Sequence, residues 1–274
     1  MIKFFLKKNL CDGWDNLLQL FIYNIGLILW GGIIAFAWFE TSPYLEAYNT
    51  LLPWVTLIAA ISLFMIPVFA WGANAMKIAD FNTPSAGLFF RSMRVVWKLA
   101  VAFSVLVTAV TFMALNAIPY YWTQFGWLGT LVAAAICWFL LISAIALQYF
   151  LPLYFLQEQN GFKKCLKKSF IIFFDNPMFS LFLFLYNGVL FMLSLVFVFI
   201  APGVNGITLA TMNATRLRLY KYDWLDEHPG YIHDRDKRAN VPWDELIAQD
   251  KETLGPRKIS SFLFPWKQPS VFRR

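Results

Sequence analysis

The residues of this chain that could do chemistry fall into three groups. The first is His228 and His233, set among Asp226, Glu227, Asp234 and Asp236, a donor set that could surround a metal ion. Pro229-Gly230 between the histidines forbids a helical i, i+4 pair, and the spacing fits no zinc signature, so the stretch reads as a surface loop that calls for no metal or cofactor. The second group is the amides inside long apolar runs: Gln19, Asn24, Asn74, Gln148, Asn187, Asn205 and Asn213. Uncharged polar groups in such runs either tie one helix to another or line a path for a solute, and Asn24, Gln148, Asn187 and Asn213 are the candidates carried forward. The third is two sets of bases beside apolar runs, Arg91, Arg94 and Lys98, then Lys163, Lys164, Lys167 and Lys168. The lysines recur at spacing four, with Phe162, Leu166, Phe170 and Phe174 on another face. That pattern is an amphipathic helix in the headgroup plane, each base worth about 1 kcal/mol against anionic lipid. Leu88 to Lys98 is a weaker version. Such surfaces anchor topology, and in a sharper role dock a cytosolic partner or a specific lipid head.

Enzyme chemistry lacks its usual carriers. There is no nucleotide-binding glycine loop, no GxSxG elbow and no HExxH, and the apolar runs hold no Asp or Glu, so the chain is expected not to be an enzyme. An enzyme acting on lipids is the least supported of the readings. Cys11, Cys137 and Cys165 have no paired spacing and imply neither a disulfide framework nor a zinc site. The basic, aromatic end, KISSFLFPWKQPSVFRR, needs only lipid to explain it, not nucleic acid.

The elements that must position these groups follow from composition. The chain is 274 residues, 59% hydrophobic and 14% charged, with 29 Phe, 12 Trp and 11 Tyr, so lipid is its solvent. Residues 99 to 157 contain no Lys, Arg, Asp or Glu, a gap long enough for two spans. An all-α, polytopic helix bundle is expected, with spans near residues 16–39, 51–76, 99–118, 126–151, 178–200 and 204–221, two amphipathic surface helices and a polar tail over 223–274. Loops are expected at Glu40 to Thr50 and, aromatic and uncharged, at Pro119 to Phe125. The start, MIKFFLKKNLCDGWDN, lacks a clean apolar region with a cleavage site, so no cleaved signal peptide is expected. Pro67 inside the second span implies a kink whose freed carbonyl is satisfied by a neighbour. Arg216 is expected to snorkel to the headgroups, and Gly206, Ala210 and Ala214 to pack the sixth helix on its neighbours.

Orientation follows from the bases. With six crossings and both termini cytoplasmic, the inner segments 1–15, 77–98, 157–177 and 216–274 hold 3, 4, 4 and 12 of the 23 Lys and Arg, which is all of them. Five crossings would put the last 12 outside. The outer loops hold only Glu40 and Glu46 among the 16 acids. An internal echo fits this layout: aligning Ser92 with Ser169 lays LFFRSMRVVWK over CLKKSFIIFFDN, each between two spans, as in a tandem repeat of helix, surface helix, helix.

Asn16-Leu17-Leu18 opening an aromatic first helix, then IPVFAWGANAMKIADFNTPSAGLFFRSMRVVWK with its proline, small-residue turn and basic aromatic helix, resembles the YesL-like family of bacterial membrane proteins (domain of unknown function 624), over roughly residues 14 to 222. The chain departs from that family's pattern in its full span before Pro67 and in its long tail. The resemblance implies a bacterial inner-membrane protein encoded beside carbohydrate uptake transporters, hence an accessory role. The expected function is a non-enzymatic accessory or assembly partner of a membrane complex, binding anionic lipid and a partner through its cytoplasmic face and tail; the alternative is a small-solute transporter.

Overall fold

The computed structural model describes residues 1–49, 51–158, 160–231, 238 and 241–256, and every regular element among them is a helix. Ten helices carry the architecture: α1 (Ile2–Asp15), α2 (Leu17–Tyr48), α3 (Leu52–Ala79), α4 (Ala86–Phe112), α5 (Ile118–Gln124), α6 (Gly126–Leu147), α7 (Phe150–Leu156), α8 (Phe162–Asp175), α9 (Pro177–Val196) and α10 (Gly203–Glu227). A π-turn over Met113–Ala117 joins α4 to α5 into one 39-residue rod. Five segments are long and apolar enough to cross a membrane: α2, α3, α4 to α5, α6 to α7, and α9. The protein is therefore a membrane protein, and α10, with its mixed polarity, is not among those five.

The prolines act as backbone physics requires. Pro67 cannot donate to the Leu63 carbonyl one turn back, and the Trp30 indole of α2 donates to that carbonyl instead at 3.0 Å. Pro152 likewise leaves Gln148 without a helical donor, and the fourth span ends at Leu147, restarting as α7. Two expected loops are helical. α2 runs through Glu40 to Tyr48, with Pro43 absorbed within it and Thr41 bonding back to the Ala37 carbonyl at 2.8 Å. The aromatic connection becomes α5, with Pro119 in its first turn, directly after the π-turn that interrupts the regular ladder. The turn into α6 is tight: a Cβ on Gly129 would overlap the Tyr121 carbonyl.

Of the two segments expected as surface helices, only the second is a helix of its own. Residues 88–98 form the first half of α4, continuous with the third span. Its start is fixed by Ser85, whose Oγ accepts from the Leu88 N–H at 3.1 Å while Asn74 clamps the Ser85 backbone on both sides. The second, α8, ends at Asn176 before Pro177 opens α9. Ser92 and Ser169 are both buried, as the sequence echo aligns them.

α10 is the axis of the lower half. Sixteen of its 25 residues are buried, and it packs against α1, α2, α3, α7 and α9. Gly206, Ala210 and Ala214 lie on its buried side, as expected of a small-residue seam. α1 is docked beside it through Phe5, whose ring meets Phe179, Phe182 and Tyr186 edge-on. Its outer face shows Ile2, Leu6, Leu10 and Trp14, a stripe that continues along α2 as Leu18, Ile22, Ile25 and Leu29. Above Leu27 no residue of α2 is buried, which is tolerable only in hydrocarbon. The tail docks on its own chain: short helices Trp243–Leu246 and Ala248–Leu254 bury Val241, Ile247, Asp250 and Leu254.

Candidate functional site

The polar residues gather in three ties. The deepest is Asn24 on α2, 1% exposed, against the turn between α9 and α10. Its Nδ2 donates to the Ile200 carbonyl at 3.0 Å and the Pro202 carbonyl at 2.8 Å, and its Oδ1 accepts from the Asn205 N–H at 3.2 Å. Ser194 Oγ accepts from the Gly203 N–H at 3.0 Å, and the Trp71 indole donates to the Asn205 carbonyl at 3.1 Å. A helix start leaves orphan N–H groups, and here Asn24 of α2 and Ser194 of α9 take up those of Asn205 and Gly203. Gly203 has φ +64°, and a Cβ there would overlap the Asn24 carboxamide, so both the conformation and the contact select glycine.

Gln148 and Asn187 are brought together in a second, smaller tie. Gln148 fills the α6 to α7 break and donates to the Ser180 carbonyl at 2.9 Å, while its Oε1 accepts from Asn187 Nδ2 at 3.3 Å. Asn213 lies elsewhere, facing α1: its Nδ2 donates to Asp12 Oδ2 at 2.9 Å and to Asn9 Oδ1 at 3.3 Å. All four candidate amides thus bond between helices. A crevice of about 270 Å³ does touch Asn24, but its other walls are apolar, Leu27, Ile28, Phe64 and Phe199 among them.

The third and largest tie is a charged layer at the lower ends of the helices, and most of its members are not evident in the sequence. Lys8 Nζ and Asp12 Oδ2 pair at 2.9 Å, 1% and 7% exposed, with Lys8 also 3.6 Å over the Phe81 ring. Burial pushes the Lys8 ammonium below its ordinary value and the Asp12 carboxyl above its own, each against the pull of the other. Arg216 does not snorkel. It bonds to Asp80 at 2.9 Å, to Asp250 at 3.0 Å and to the Ala79 carbonyl at 2.8 Å, which ties α10 to the end of α3 and to the tail. Asp175 accepts from Lys221 and from the Tyr222 hydroxyl, each at 2.9 Å, and pairs with Arg238. Burial pushes the Asp175 carboxyl up, but the bonds and charges of Lys221, Tyr222 and Arg238 outweigh it and hold the group below its ordinary range. Arg218 lies 3.8 Å over the Phe179 ring and donates to Asn176 Oδ1 at 3.1 Å. The one signal for this layer in the sequence is Lys8 and Asp12 on the same helical face as Phe4, Phe5 and Cys11.

The basic surface divides. Arg91, Arg94, Lys98, Lys163, Lys164 and Lys167 are exposed. Lys168 is not part of that surface: it turns inward and donates to Gln157 at 2.8 Å and Asn160 at 3.0 Å, closing the α7 to α8 turn. Among the described residues no group of three His, Cys, Asp or Glu could hold a metal ion. His228 stacks on Trp224 at 4.3 Å, and His233, Asp234 and Asp236 lie outside the described residues.

Comparison of the chain with family models, with curated proteins and with solved structures finds no match.

Proposed function

We propose that the protein is a non-enzymatic accessory or assembly partner of a membrane complex in a bacterial inner membrane, with an even number of passages and both ends cytoplasmic. The observation that carries this reading is how four of its amides and six of its bases are placed. Asn24, Gln148, Asn187 and Asn213 bond within the protein, whereas Arg91, Arg94, Lys98, Lys163, Lys164 and Lys167 face outward. A permease needs polar groups offered to a solute at depth; a docking protein needs them at its surface. All Lys and Arg fall in segments that an even topology places on one side, which supports the cytoplasmic assignment. The resemblance to YesL-like proteins gives the partner class, a carbohydrate uptake system.

The test is purification of the full chain from native membranes after mild cross-linking, beside R91E/R94E/K98E and K163E/K164E/K167E variants. Subunits of a membrane complex recovered with the natural chain and lost with the reversed ones, at unchanged folding, support the reading. The same proteins recovered with all three overturn it. The docked tail should stay in place throughout, because Asp250 is built into the Arg216 tie; truncation after Pro256 tests the rest of it separately.

A further inference from the structure

We infer that the cavity between α1 and the last helix of the tail holds one anionic phospholipid, its phosphate on the lysines at the rim and an acyl chain along the outer face of α1. The cavity measures about 640 Å³. α1 lines it with Lys3, Phe4 and Lys7, and the helix Ala248–Leu254 lines it with Lys251, Glu252 and Leu254. Three lysines thus meet one glutamate, around walls that are mainly apolar. Lys7 Nζ donates to the Gly255 carbonyl at 2.9 Å, which fixes that ammonium at the wall and leaves two of its three N–H bonds for a ligand. Lys3 has no ion-pair partner among the described residues, and Lys251 pairs only with the solvent-exposed Asp244, at 2.6 Å. A pair so exposed is weak and readily exchanged.

The lysines alone would suit a free phosphate, and the apolar surface beside them is what selects a lipid. Ile2, Leu6 and Leu10 are exposed on the arc of α1 next to Lys3 and Lys7, since residues four apart stack on one face and successive ones lie about 100° apart. An exposed stripe of this kind belongs against hydrocarbon. It runs on through Leu18 and Ile22 of α2, a helix long and apolar enough to cross the membrane. Acyl chains that cover α2 therefore reach the mouth of the cavity along α1, and meet the lysines where a phospholipid carries its phosphate. The site is separate from the exposed bases of α4 and α8, and the inference does not rest on the docking reading.

Native mass spectrometry of the full chain tests it, with phosphatidylglycerol, phosphatidylcholine of the same chains and inorganic phosphate as probes. One phosphatidylglycerol should stay bound where phosphatidylcholine does not, and inorganic phosphate should not displace it. Each charge near the headgroup is worth about fivefold in affinity. Lys3→Gln should therefore weaken that binding about fivefold, and Glu252→Gln, which removes the acid, should tighten it by a similar factor. Opposite signs from neighbouring sites do not arise from misfolding. K163Q/K164Q/K167Q should leave this one lipid in place. Unchanged binding in Lys3→Gln, weaker binding in Glu252→Gln, loss of the lipid in K163Q/K164Q/K167Q, or displacement by phosphate alone each overturns the inference.

Discussion

Replacing Asn24 by leucine removes three hydrogen bonds without opening much space. The Pro202 carbonyl keeps the Gly206 N–H at 3.0 Å, so the groups stranded are the Ile200 carbonyl and the Asn205 N–H. A buried polar group left without a partner costs about 1–3 kcal/mol, which puts the loss at about 2–6 kcal/mol. Interhelical bonds measured within a membrane average about 0.6 kcal/mol, and three of them set a floor near 2. The assay is reversible unfolding in mixed micelles, compared with Asn187→Leu, which removes one long bond and should cost well under half as much. Gly203→Ala adds a second arm: it forces a side chain into the left-handed region, at about 1–2 kcal/mol, and into Asn24. Asn24→Ala makes room for that methyl, so the double variant should lose less than the sum of the singles. If Asn24→Leu unfolds within about 0.5 kcal/mol of the natural chain, the turn is not held by this side chain and the reasoning fails.

Three further outcomes follow from the charged layer and its neighbours. Asp12→Leu strands the buried Lys8 and should cost about 3–5 kcal/mol, while Lys8→Met with Asp12→Leu should recover a large part of it, read by the same unfolding assay. Because the folded Asp175 carboxyl sits below its ordinary value, its stabilising effect is complete above about pH 4 and lost as pH falls through the folded value; Asp175→Asn should remove that acid-dependent component from the unfolding profile. Neither polar atom of the buried Asn205 side chain has a partner, so Asn205→Leu should be neutral or stabilising in the same assay, and a loss of stability would contradict this.

The membrane character is legible because it rests on composition: the charge-free stretch from 99 to 157 is long and apolar enough for two passages. Local backbone rules also carried over, since Pro67 frees a carbonyl whatever the fold, and only the identity of its partner, Trp30, needed the structure. What stayed hidden was long-range. α10 has mixed polarity, and the sequence marks it only as a sixth span with a small-residue seam; that its Asn213 and Arg216 bond to α1 and to the tail is not visible there. α1 escaped notice because Lys8 and Asp12 look like surface residues until a helix from the other end of the chain supplies Asn213. From sequence Arg216 reads as a headgroup residue for the same reason: Asp80 and Asp250, its partners, lie far away along the chain. Periodicity did identify the exposed bases of α8, and failed only for Lys168, where two amides in the preceding turn capture the side chain.

The central claim, that the chain begins and ends on the basic side of one bilayer, is tested most directly by the sidedness of its two ends. A fluorescent protein that matures only in the cytosol, fused in turn to Met1 and to Arg274 of the full chain, should light up in both positions. Fluorescence from one fusion and none from the other, at equal expression, would contradict it and take the docking surface with it.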